Sequence, residues 1–165
     1  MPVSPYILGL RRHIGTDLLW LPGVTAVVRD DDGRVLLGQR SDNGRWALVS
    51  GILEPGEEPG PGIAREVLEE TGVEIRVEAL AAITVTERAA YPNGDQAQYL
   101  DLCFVCRPVS PEAAAAARVN DDESLAVGWF APDALPDGLH RDTVRRLELT
   151  LAYLSDPSTG PHFAR

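Results

Sequence analysis

The stretch Gly51-Ile52-Leu53-Glu54-Pro55-Gly56-Glu57 leads, after seven further residues, into Arg65-Glu66-Val67-Leu68-Glu69-Glu70-Thr71-Gly72-Val73. Residues 60 to 71 predict a helix stopped by Gly72, because glycine takes the left-handed conformation that ends helices. At about 100° per residue, Glu66, Glu69 and Glu70 (i, i+3, i+4) share one face. Ala64, Val67, Leu68 and Thr71 fall on the opposite face and are expected to pack on a sheet. Like charges at this spacing repel, costing the helix about 0.2–0.5 kcal/mol per pair. A hard divalent cation relieves that repulsion, since such ions favour oxygen ligands and bind through carboxylates, phosphates and retained waters. A Glu-rich face can also be merely solvated. The Gly/Pro-rich loop from Gly51 to Glu57 argues for the first reading, because low side-chain bulk lets backbone approach a metal or phosphate closely.

Around this unit the chain alternates β-rich runs with turns. Val24 to Val28 and Arg34 to Gln39 flank Asp30-Asp31-Asp32-Gly33 and predict a hairpin. Arg45 to Val49 is a third short strand after the Asn43-Gly44 turn. Beyond the helix, residues 73 to 80 and 83 to 88 resume β character. The turn Tyr91-Pro92-Asn93-Gly94-Asp95 then leads into a strand from Gln96 to Cys106, making a second hairpin. Glu112 to Arg118 is a short helical stretch, Leu125 to Phe130 a last strand, and Thr143 to Leu154 a closing amphipathic helix. Residues 5 to 19 read as a short helix and an extended lead-in, and residues from Pro157 onward as a loose tail. No repeat or composition break divides residues 1 to 165, so a single domain is expected. Its fold class is α/β (α+β), a mixed β-sheet sandwiched between helices.

Composition narrows the chemistry. The net charge of −10 disfavours a nucleic-acid backbone as partner, although metal ions can reverse the sign of an acidic site for small phosphates. All 15 basic residues are Arg, which excludes Schiff-base lysine chemistry and the usual P-loop lysine. No apolar run reaches the roughly 20 residues that cross a bilayer, and the N-terminus lacks the pattern of a signal peptide. No membrane association is expected, and a cytoplasmic location is the default. Cys103 and Cys106 have the spacing of half a zinc site, but residues three apart on a strand point to opposite faces. They are expected to be core thiols.

Gly51, Glu57, Arg65, Glu66, Val67, Glu69, Glu70, Gly72 and Val73 match every defined position of the Nudix box, and the chain resembles the Nudix (MutT-like) hydrolase family from about residue 20 to residue 136. The late Trp129-Phe130 strand and the Ala131 to Pro136 segment are similar to the family's closing region. The resemblance implies hydrolysis of a nucleoside diphosphate linked to another moiety, with Mg²⁺ or Mn²⁺. It makes Glu66 and Glu70 metal ligands, Glu69 a further ligand or water-organiser, and the Gly51 carbonyl another ligand. Arg65 would orient a box carboxylate, Glu57 would bond within the loop–helix unit, and Glu66 is the first choice of general base with Glu69 or a loop acid behind it. A bound metal would neutralise diphosphate charge and lower the pKa of a water in line with the scissile bond. Family members commonly carry Pro-Gly before the box glycine, where this chain has Val49-Ser50, a departure that touches the loop rather than a ligand.

Outside the box, Glu123 lies where some members place another metal-binding acid. Asp121 and Asp122 compete for the role, and a solvated acidic turn is the plain alternative. Arg40 is a candidate for substrate phosphate, or else a surface ion pair. Tyr91 is a candidate substrate contact, or else an ordinary turn residue. Trp46 reads as core packing. No subfamily marker names the substrate beyond a small nucleoside diphosphate derivative. Two other uses of the scaffold are a nucleotide-sensing domain without catalysis, which usually has an eroded box, and an isomerase of diphosphate compounds. Relatives often pair as homodimers, and residues 5 to 19 are the candidate contact.

Overall fold

The computed structural model describes residues 4–164. Helix α1 (Pro5–Ile14) is capped by the Ser4 hydroxyl, which accepts from the Tyr6 N–H. It leads into the long strand β1 (Leu18–Val28). Then come β2 (Val35–Arg40), β3 (Trp46–Ala47), β4 (Ser50–Ile52), α2 (Pro59–Thr71) and β5 (Ile75–Val85). The chain continues through β6 (Ala89–Ala90), β7 (Gln96–Pro108), α3 (Pro111–Ala115), β8 (Ser124–Phe130) and α4 (Arg141–Ser155).

Two sheets form rather than one. The larger runs β4-β1-β7-β5, with β6 added to β7, and is mixed because β1 and β7 are parallel while the other pairs are antiparallel. The smaller is antiparallel, β3-β2-β8. The expected hairpin between β1 and β2 is thus reduced to its turn. Asp30 accepts the Arg34 N–H at 2.8 Å and its guanidinium at 2.7 Å, and Gly33 takes φ 77°. Beyond one bridge, Arg29 with Val35, the two strands part and join different sheets. The facing stretches, Gly23 to Val28 and Val35 to Gly38, are buried throughout, so alternation could not say which neighbour each would choose.

The parity of β1 shows how the larger sheet is covered. Val24, Ala26 and Val28 pack with Ile63 and Val67 of α2, while Val27 packs with Leu147 of α4. Alternate strand residues face opposite sides, so α2 and α4 cover opposite faces. Leu19 and Leu21 share the parity of Val27 and pack with Ile7, which puts α1 on the α4 side. Cys106 lies in the α2 core and Cys103 in the α4 core, both as free thiols, as their spacing required. Burial pushes the Cys103 thiol up to about 11.

The C-terminal tail, expected to be loose, is tied to the sheet. The His162 N–H donates to the Ala81 carbonyl and the Ile83 N–H to the His162 carbonyl, each at 2.8 Å. A bulge in the β5–β7 ladder between Leu80 and Ala82 accompanies this docking. Among the described residues no helix is long and apolar enough to cross a membrane.

Candidate active site

Helix α2 begins at Pro59, whose fixed φ suits a first helical position, and ends at Gly72 with φ 69°, whose N–H reaches the Leu68 carbonyl at 2.9 Å. Strand β4 is the edge of the larger sheet and pairs Gly51 with Val24. There α2 comes so close that a Cβ on Gly51 would overlap the Glu66 carboxyl group. Only glycine fits, so the first glycine of the box and its first helical glutamate form one contact. A Cβ at Gly62 would likewise stand 2.5 Å from the Leu53 side chain, where helix and loop pack.

Arg65 gathers the box acids. Its Nε and Nη2 donate to Glu57 Oε1 and Oε2 at 2.8 and 3.1 Å, a bidentate pair. Its Nη1 reaches Glu69 Oε2 at 3.2 Å, and Nη2 lies 3.1 Å from Glu66 Oε1. Glu57 also accepts the Glu54 N–H at 3.0 Å, which closes the loop. The guanidinium beside it holds the Glu57 carboxyl below its usual range. Glu66 goes the other way, because burial outweighs Arg65. Glu70 is pushed up to about 8, first by burial and then by Glu66 and Asp121, with Arg40 opposing.

The apolar face of α2 differs from expectation. Its buried residues are Gly62, Ile63, Glu66, Val67 and Thr71, whereas Leu68 is 46% exposed. The buried stripe is rotated toward the glutamates, and Glu66, only 4% exposed, lies within it. The helix is drawn over by the Gly51 contact, which a pattern confined to the helix does not contain. The three glutamates therefore do not share one open acidic surface. Among the described residues no group of three or more His, Cys, Asp or Glu side chains is gathered closely enough to hold a metal ion as it stands. Arg65 accounts for this at Glu69, whose carboxylate it binds.

The acidic loop after α3 closes the far end of α2. Arg118 N–H donates to the Thr71 carbonyl at 3.0 Å and Asn120 N–H to the Glu70 carbonyl at 3.1 Å. The Asn120 amide caps Leu68 and Glu69 at 3.2 and 3.1 Å. This docking brings Asp121 to bear on Glu70, and Asp121 Oδ2 is buried without a hydrogen-bond partner. Glu123 donates its N–H to Asp121 Oδ1 at 3.0 Å and has an exposed side chain. Asn120 is the functional neighbour that sequence reading missed, since nothing local marks a cap for a helix about fifty residues earlier.

Arg40, at the end of β2, pairs with Asp42 through Nε–Oδ1 at 2.9 Å and Nη2–Oδ2 at 2.7 Å. Asp42 raises its pKa first, and the charges of Glu70 and Tyr91 add to this, so Arg40 lies within electrostatic reach of both the box and the Tyr91 turn. The Tyr91 hydroxyl meets that of Tyr99 at 2.7 Å. Burial and this bond raise the Tyr99 pKa. Tyr99 was also missed: the β6–β7 register pairs Ala89 with Ala97 and Ala90 with Gln96, which leaves the two tyrosines offset along the hairpin and joined only through their side-chain tips. Trp46 stacks edge-on against Phe130, centroids 4.8 Å apart, and is a core residue.

The sequence profile of the NUDIX domain matches residues 19–151. The chain belongs to the Nudix family. A MutT-like protein of Streptomyces ambofaciens is 37% identical over 84% of this chain and 79% of its own length. The 8-oxo-dGDP phosphatase NUDT18 of Mus musculus is 32% identical over 75% of this chain, which spans 36% of that longer protein. Among solved structures, a MutT NUDIX hydrolase from Burkholderia pseudomallei is similar with a TM-score of 0.61 and 30% identity, over 79% of this chain and 98% of that one.

This Nudix chain is a hydrolase of phosphoanhydrides, with the box intact and folded as a unit. Nudix hydrolases generally work with divalent cations. The donors fit such an ion. They are all oxygens, two of the carboxylates are held in costly partial burial, and a third acid presents an oxygen with no other partner.

Proposed function

We propose that residues 1–165 form one catalytic domain that uses Mg²⁺ or Mn²⁺ to cleave the phosphoanhydride of a nucleoside diphosphate linked to a second group. The reading is carried by the Glu66 carboxylate, buried against Gly51 beside a Glu70 whose ionisation is resisted by burial and by its neighbours. Glu66, Glu69, Glu70 and the Gly51 carbonyl would hold the cation, which when bound supplies charge neutralisation of the diphosphate and an acidified water. From the acidic loop, Asp121 is a stronger candidate than Glu123 to support it, because Asp121 Oδ2 is buried and unpartnered.

The chain's own side chains do the rest. Glu66 takes the proton of the attacking water, with Glu69 as its substitute. Burial suits Glu66 to this work, since a carboxyl of raised pKa is a better proton acceptor. Arg65 holds Glu57 and Glu69 in place, fixing the loop against the helix. Arg40 faces the substrate phosphates and Tyr91 the rest of the nucleotide. The relatives support a small nucleotide as substrate, since one is named for 8-oxo-dGDP.

Incubation with Mg²⁺ and a panel of nucleoside diphosphate derivatives, scored separately for nucleoside monophosphate and orthophosphate, tests this. Glu66→Gln is expected to lower turnover by about 10²–10⁴-fold, the usual worth of a general base. Full turnover in that variant contradicts the assignment.

A further inference from the structure

The phosphate chemistry leaves open what holds the remainder of the substrate. A cavity of about 350 Å³ lies between α1, the turn after β6, and the nearby parts of β1, β4 and β7. Ile7, Leu21, Ile52 and Ala97 make its apolar walls, and Tyr91 and Tyr99 its aromatic one. Ile52 follows Gly51 on the edge strand β4 but faces the α1 side of the sheet, opposite to Glu66, so cavity and box flank one sheet edge, where Arg40 feels the charges of both Glu70 and Tyr91. The volume falls within the roughly 300–1,000 Å³ of small-molecule sites.

The polar groups on this lining are largely spent on one another. Arg11 Nη1 donates to the Gly15 and Asp17 carbonyls, Nη2 donates to the Gln96 carbonyl, and Nε lies 3.4 Å from Asp95. The Asn93 amide donates to Asp95 at 3.0 Å. Tyr91 and Tyr99 share one hydrogen bond, which leaves the pair a single hydroxyl hydrogen to offer a ligand. Apolar walls, an aromatic wall and few free donors, the Arg11 Nε being one, suit a flat ring system held mainly by contact rather than one read along its hydrogen-bonding edge.

We propose that this cavity holds the nucleobase of the substrate and selects it by shape and stacking, with α1 as its outer wall. The proposal rests on the phosphoanhydride reading above and goes beyond it in assigning the base subsite and its tolerance. Helix α1 precedes the residues matched by the family profile, so this wall comes from outside the common domain. Stacking on an aromatic side chain favours a base-bearing ligand by about 5- to 150-fold. A mainly apolar pocket separates related ring systems by only about 10- to 200-fold, where a hydrogen-bonding site reaches about 10⁴ or more.

The test compares kcat/KM for ADP, GDP, CDP and UDP with that for ribose 5-diphosphate, which lacks a base. Wild type is expected to prefer the nucleotides by about 5- to 150-fold, with the four bases within about 200-fold of one another. Ala97→Leu, which fills the cavity, and Tyr91→Ala, at an exposed turn where the fold is kept, each collapse that preference, mainly through KM. In parallel, AMP, GMP, CMP and UMP are titrated while the Tyr91 and Tyr99 ring NMR signals are followed. Both rings are expected to shift in wild type. Preference for a base that survives in both variants overturns the subsite, as does one base favoured by 10⁴ or more, or two unmoved rings. If neither these diphosphates nor their derivatives linked to a second group are cleaved while both rings shift, the hydrolytic reading falls and the base subsite stands.

Discussion

The box unit, residues 51–73, and the cavity under α1 meet at β4 yet are built in different ways. In the box, every partner of Arg65 lies within eight residues of it, at Glu57, Glu66 and Glu69. The cavity instead draws its walls from residue 7, residue 21, residue 52 and the segment 91–99, which only the folded sheet brings together. The box is polar, with buried carboxylates held against repulsion, while the cavity is mostly apolar and most of its polar groups are held by bonds within the fold. The difference teaches that bond cleavage can be written in a local spacing, whereas choice of substrate is a tertiary property.

Several substitutions can break or sharpen that contrast. The largest effect is expected at Gly51. Gly51→Ala drives a methyl group into the Glu66 carboxylate, displaces the proposed base, and is expected to lower kcat by about 10²–10⁴-fold. Steady-state kinetics checks this, and near-normal kcat would show that Glu66 need not lie on the glycine. Next is the rotated face of α2. Ile63→Ala, fully buried, is expected to cost about 2–5 kcal/mol in urea unfolding. Leu68→Ala on the same helix is expected to stay within about 0.5 kcal/mol. Equal costs would restore the face that the helix pattern alone suggests. Smaller still is Arg65→Lys, which loses the bidentate grip on Glu57 and is expected to reduce activity or metal affinity by about 10–100-fold. Isothermal titration with Mg²⁺ and turnover measurements read the two losses separately.

The same contrast explains what the sequence made legible. The helix bounds, the Gly72 stop and the second hairpin follow from signals carried by neighbouring residues, and they hold in the fold. The opposed cysteines follow from strand parity alone. What could not be read depends on distant partners. The β1–β2 turn forms, but the strands choose partners in two sheets, because both are buried along most of their length and carry no polar face to set register. The α2 face rotates toward its glutamates because a glycine on another strand admits the Glu66 carboxylate. Asn120 caps α2 and brings Asp121 to Glu70 across some fifty residues of sequence. The tail is held by backbone bonds at His162, a position whose side chain gives no sign of it.

Glu70 sits where burial and its acidic neighbours resist its charge, a cost that a bound cation would relieve. Its folded pKa, raised from 4.5 to about 8, means that the native state keeps a proton the unfolded chain releases between those values. Metal-free stability should therefore fall as pH rises from about 4.5 through about 8, because the native state binds more protons there. Urea unfolding of wild type and Glu70→Gln at pH 6 and pH 9 without metal, with Mg²⁺-dependent turnover measured on the same samples, tests this most directly. Glu70→Gln is expected to remove most of the loss of stability at pH 9 and to lose turnover at both pH values. A variant as pH-sensitive as wild type, or one that turns over normally, would contradict this.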